Sequence, residues 1–96
     1  MKPFAVYILA SRRNGTLYVG MTSDLVKRVW EHKSNVVEGF SKRYGVHRLV
    51  YFELHATLEE ALRRERRFKE CPRQWKIELI EKENPLWDDR YEEIVS

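Results

Sequence analysis

The chain has 96 residues, 43% hydrophobic and 34% charged, which predicts one soluble globular domain spanning 1–96 and excludes a disordered chain. No run approaches the ~20 apolar residues of a membrane span. Met1-Lys2-Pro3-Phe4 leads into an alternating segment, not a signal peptide, so no membrane partner is expected. The single cysteine, Cys71, cannot form an internal disulfide, which makes a reducing, cytoplasmic setting the expectation. The net charge of +3 is unevenly spread: residues 1–75 hold 15 Lys/Arg against 8 Asp/Glu, a net of +7, whereas 76–96 hold 3 against 7, a net of −4. A basic body suits a polyanionic ligand, although a solvated surface explains the same count.

Phe4 to Ala10, rich in β-branched and aromatic residues, predicts a strand. Asn14-Gly15 is a strong hairpin signal, and Thr16 to Gly20 is the return strand. Thr22 or Ser23 can cap a helix that runs to about Asn35, with Asp24 in its first turn. Gly39 to Val46 reads as a loop or a short helix, and Arg48 to His55 as a third strand. Thr57-Leu58-Glu59-Glu60 is a capping box opening a helix to about Glu70, where Cys71-Pro72 ends it. Trp75 to Glu83 is another helix pattern, broken by Asn84-Pro85. From Leu86 onward a short helix or turn is expected. The order β-β-α-β-α-α predicts an α+β fold, a small three-stranded antiparallel sheet flanked by helices.

Residue 65 stands out on the helix that begins at Leu58. At about 100° per residue, Leu58 lies at about 0°, Leu62 at about 40°, Ala61 at about 300° and Phe68 at about 280°. These predict the buried face, and Glu65 falls within it at about 340°. A carboxylate on a core face needs a pairing partner or a metal; a structural ion pair with Lys69, one turn on, is the plain alternative. Arg28 and His32 are spaced i,i+4 and point the same way, beside Leu25 and Val29. Arginine offers a planar fork to phosphate oxygens; an ordinary boundary pair, with Val26 and Trp30 doing the packing, is the competing reading. Tyr7 and Tyr18 sit on the two hairpin strands, and Gly20 at the end of the second permits close approach of a backbone or a ligand. Phe40-Ser41-Lys42-Arg43-Tyr44 interleaves basic and aromatic residues, which can track a DNA backbone or simply face solvent. His47, His55 and Cys71 lack ligand spacing and read as structural. Trp30, Trp75 and Trp87 read as core or core-edge.

Ala5-Val6-Tyr7 followed by Tyr18-Val19-Gly20 resembles the two halves of the GIY-YIG nuclease signature. Arg28 is similar to the family's helix arginine, His32 to the His or Tyr one turn later, and Glu65 to its metal-binding glutamate. Asn84-Pro85-Leu86-Trp87-Asp88-Asp89 resembles the end of small standalone bacterial members. The first triplet lacks Gly and Ile, and Met21 stands where repair-type relatives often carry lysine. The resemblance implies a metal-dependent endonuclease acting on DNA, with catalytic residues Tyr7, Tyr18, Arg28, His32 and Glu65. It implies one Mg²⁺ or Mn²⁺ held by Glu65 and substrate phosphate. Gly20, Arg28, Lys42, Arg43 and Asn84 are the expected substrate-binding set, with Asn84 equally able to cap a helix turn. Tyr7, Tyr18 and His32 all remain candidates for the general base. The rival readings are a nucleic-acid-binding module without chemistry and a protein-interaction domain; either, like the nuclease, is compatible with a monomer.

Overall fold

The computed structural model describes residues 3–34 and 39–95. Its elements are β1 (Phe4–Ala10), β2 (Leu17–Thr22), α1 (Leu25–Lys33), α2 (Phe40–Tyr44), β3 (Arg48–His55), α3 (Leu58–Glu70), α4 (Arg73–Glu83) and α5 (Tyr91–Val95). The strands form one antiparallel sheet in the order β2-β1-β3. β1 is the central strand, buried on both faces, which explains why Ala5 through Ala10 are all apolar or aromatic. Val6, Ile8 and Ala10 face one core with Phe68 of α3, Ile80 of α4 and Trp87. Tyr7 and Leu9 face the other, with Val29 of α1, Val46 and Leu49. The sheet is thus sandwiched between two helical layers, and Tyr7 belongs to the α1 side.

The hairpin closes over Arg12 to Gly15, with Gly15 N–H donating to the Arg12 carbonyl at 2.9 Å and Asn14 in the left-handed region at φ 59. Asparagine tolerates that conformation better than most residues. Arg73, at the start of α4, donates to the carbonyls of Asn14 and Gly15 and ties the turn to the helical layer.

Thr57 caps α3 as the sequence predicts, its side chain accepting from Glu60 N–H at 3.2 Å. At α1 the cap differs from expectation: Asp24, not Thr22 or Ser23, accepts from Lys27 N–H. Thr22 instead accepts from Asp24 N–H at 3.0 Å, setting the chain for the cap one step later. The segment Gly39 to Val46 holds the short helix α2. Asn35, where the first helix was expected to end, lies outside the described residues.

The larger correction concerns α3. Leu58 and Leu62 are 47% and 44% exposed, and the helix is buried only through Ala61 and Phe68. The contact arc is therefore narrower than the wheel predicted and centred nearer Ala61 and Phe68. A narrow contact suffices because α3 packs against a sheet of only three strands. Trp30 is also 53% exposed, contrary to a core role; Val29 and His32 are the buried residues of α1.

Candidate active site

Tyr7 organises the site. Its ring is buried, and in the register Tyr7 pairs with Gly20 on β2. A Cβ on Gly20 would sit 2.4 Å from the Tyr7 Oη and 2.5 Å from its Cζ. Only a glycine leaves room for the ring to lie there. Gly20, expected to admit a backbone or a ligand, admits this side chain instead.

Three further residues meet the tyrosine. His32 Nε2 lies 3.1 Å from the Tyr7 Oη, a buried hydrogen bond reaching from α1 to the sheet. Tyr18 stacks obliquely on both, with ring centroids 6.4 Å from Tyr7 and 5.1 Å from His32. Arg28, one turn before His32 on α1, is close enough to the Tyr7 hydroxyl to favour its ionised form, while burial, Tyr18 and Glu65 oppose it. Burial is the largest of these effects, so the Tyr7 hydroxyl is held well above the ordinary tyrosine range. His32 is pulled down to about 4, first by burial and then by Arg28 and His47, against a smaller opposing effect of Glu31. Both shifts favour the neutral forms. At neutral pH the pair is a tyrosine O–H facing an uncharged imidazole, and Nε2 accepts the hydrogen bond when Nδ1 carries the ring proton.

Arg28 also pairs with Glu31 at 3.5 Å. Sequence reasoning passed over Glu31, although its i,i+3 spacing from Arg28 is the signal that identifies it. The guanidinium borders a groove of about 500 Å³ lined in part by Met21, Thr22, Lys27 and Leu58. A phosphate entering there meets Lys27, Arg28 and the N-terminal turn of α1, beside the carboxylates of Asp24 and Glu31.

Glu65 stands on α3. Its side chain is 20% exposed and pairs with Lys69 at 3.2 Å. It lies at the border of the buried face, partly covered, so the wheel's placement of Glu65 toward the core side holds in part. The ion pair with Lys69 held open as its alternative is present. What ties Glu65 to the site is its electrostatic effect on the Tyr7 hydroxyl.

Two expected substrate-binding positions lie elsewhere. Asn84 is buried, and its amide nitrogen donates to the carbonyls of Val50 at 3.1 Å and Asp88 at 2.9 Å. Its side-chain oxygen accepts from Asp88 N–H at 3.0 Å. With the amide committed to backbone, the substrate-binding expectation is corrected: Asn84 closes the end of α4. Lys42 and Arg43 are exposed on α2, Arg43 lying over the Tyr44 ring, and neither lines the groove beside Arg28.

A family description of the GIY-YIG catalytic domain matches residues 3–78. The chain belongs to the GIY-YIG family. A UPF0213 protein of Staphylococcus saprophyticus is 36% identical over 75 residues, covering 78% of this chain and 90% of that protein. A second, from Clostridium perfringens, is 32% identical over 91 residues, covering 95% and 96%. The solution NMR structure of the UPF0213 protein from Bacillus halodurans superposes with a TM-score of 0.56 at 29% identity, covering 91% of this chain and 92% of that one. These matches set the chain beside small UPF0213 proteins. Tyr7, Tyr18, Gly20, Arg28, His32 and Glu65 all fall inside the matched GIY-YIG span, whereas Asn84 falls beyond it. Among the described residues no helix is long and apolar enough to cross a membrane.

Proposed function

We propose that this protein is a metal-dependent endonuclease that hydrolyses phosphodiester bonds in DNA. The observation that carries the reading is the convergence of β1, β2 and α1 on one hydroxyl, that of Tyr7, with His32 Nε2 at 3.1 Å and Arg28 and Glu65 both acting on it. Family membership supports the same chemistry.

Among the described residues no cluster of three His, Cys, Asp or Glu could hold a metal. That donor set argues against a closed structural site but fits Mg²⁺ or Mn²⁺, which take one or two carboxylates and complete their shell with water and substrate phosphate. Glu65 is the carboxylate that would hold the ion, exchanging Lys69 for it. A divalent ion there supplies charge stabilisation to the phosphate and the departing oxygen.

The chain's own residues account for the rest. Arg28, fixed by Glu31 and half exposed to the groove, presents its fork to the phosphate as negative charge builds on the oxygens. A water beside the Tyr7 Oη gives up a proton there as the Tyr7 proton passes to His32 Nε2. The water oxygen forms a bond to phosphorus while the opposite P–O bond breaks. Tyr18 packs against both partners and keeps the imidazole aligned. His32, neutral at pH 7 but a weak base with its pKa at about 4, accepts that proton only in passing; solvent takes it up and protonates the departing oxygen.

Arg28 separates a catalytic cluster from a docking surface. Under single-turnover conditions at saturating enzyme, Arg28→Ala should slow cleavage on the order of 10²–10³, and Arg28→Lys should recover only part because it loses the two-pronged geometry. If all three proteins cleave at one saturated rate and differ only in affinity, Arg28 serves docking and its catalytic role is wrong.

A further inference from the structure

The far side of α3 carries a feature that hydrolysis does not use. Between α3 and the start of α4 runs a groove of about 950 Å³, lined by Arg63, Arg64, Arg66, Arg67 and Trp75 among others. On the helix wheel Arg63 and Arg67 lie at about 140° and 180°, opposite Glu65 at about 340°. The groove beside Arg28 and this one share no lining residue.

The arginines differ in what holds them. Arg64 donates to Glu53 at 2.9 Å and stacks over Phe68 and Trp75, with its guanidinium 4.7 Å and 5.5 Å from the ring centroids. Arg67 lies over the same Trp75 ring at 5.9 Å. Stacking on an aromatic fixes a guanidinium plane while leaving its N–H groups available. Arg63 and Arg66 have no ion-pair partner among the described residues. Glu60 and Glu70 also border the groove, but Glu60 faces His55 at 3.9 Å. The result is a concave strip of four guanidinium groups, two of them oriented by an indole.

We infer that this groove is a second nucleic-acid-binding surface, which holds the sugar-phosphate backbone of a segment other than the one at Arg28. Arg67 on the indole, the terminal N–H groups of Arg64, whose Nε is held by Glu53, and the unpaired Arg63 and Arg66 match a row of phosphates. The groove shares no lining residue with the one beside Arg28, so it takes a separate stretch of chain. Binding here needs neither metal nor hydrolysis, and its test is independent of the nuclease reading.

The experiment measures binding of a short labelled DNA duplex in EDTA across a salt series. It compares the wild type, Arg63→Ala/Arg66→Ala, and Arg12→Ala/Arg13→Ala as a control of equal charge on the hairpin. The groove variant should lose close to 2 from the magnitude of the slope of log K against log salt, roughly 0.9 per phosphate contact. The hairpin variant should keep the wild-type slope. Equal losses in both, or none in the groove variant, overturn the assignment. The wild type provides a second readout that no folding defect can obscure. On adding the duplex, the indole N–H resonance of Trp75 should shift; movement confined to Trp30 would overturn the proposal.

Discussion

At the scale of single residues, the site depends on two groups being kept neutral. His32 is nearly inaccessible at 1% exposure, and burial together with Arg28 and His47 lowers its pKa to about 4. The unfolded chain titrates near the ordinary 6.5 and so binds more protons than the folded chain between about 4 and about 6.5. Stability contributed by neutral His32 is therefore complete above about 6.5 and declines as pH falls toward about 4. An NMR titration should place the His32 midpoint near 4, and a midpoint near 6.5 would show that burial and Arg28 do not hold the ring neutral. Tyr7 complements it: burial keeps its hydroxyl protonated and available to donate to His32 Nε2. The sequence exposes part of this pair. Arg28 and His32 at i,i+4 point to one shared target, and period-2 alternation puts Tyr7 on the correct face. That the target is the Tyr7 hydroxyl, and that Gly20 is its seat, depends on strand register, which a single sequence does not specify.

At the scale of elements, capping and turn chemistry were legible because they are local. Thr57, Asn14-Gly15 and Pro72 occupy the positions their types predict. The α3 wheel misled because helical periodicity reports where apolar residues lie, not how wide a face the sheet covers. Leu58 and Leu62 consequently stay exposed, and Leu58 lines the groove beside Arg28. Asn84 shows the same limit from the other direction. Its spacing before Pro85 allowed a cap or a ligand contact, and only the folded chain brings Val50 and Asp88 to its amide. Asn84→Ala should cost about 1–3 kcal/mol because it leaves buried backbone groups unpaired. In a domain this size each 1 kcal/mol lowers Tm by roughly 4–8 °C. Thermal unfolding should therefore shift clearly while the saturated cleavage rate of the folded variant stays at the wild-type value. A selective loss of rate with unchanged Tm would restore Asn84 to the site.

At the scale of the molecule, charge and fold act together. The acidic stretch beyond residue 75 folds back on the basic body: Asp89 pairs with Lys33 and accepts from the backbone N–H groups of Leu49 and Tyr91, and α5 packs against α1. Cations face solvent at Lys27 and Arg28 and along α3, and also at Arg12 and Arg13 on the hairpin and at Lys42 and Arg43 on α2. A polyanion can thus be held on two faces while the chemistry is confined to one. Glu65 is the point at which catalytic and structural readings of the molecule diverge. Its i,i+4 pair with Lys69 has an exposed ammonium, and such helix pairs are worth about 0.3–0.5 kcal/mol, so neutralising Glu65 should alter Tm little. Single-turnover cleavage of branched, flapped and linear DNA by wild type and Glu65→Gln, in Mg²⁺ or Mn²⁺ and in EDTA, tests the assignment directly. The wild type should cleave only with metal, and Glu65→Gln should be slower on the order of 10² or more at unchanged Tm and DNA affinity. Cleavage by Glu65→Gln at the wild-type rate, or a wild type inert toward every substrate in both metals, would contradict the nuclease account.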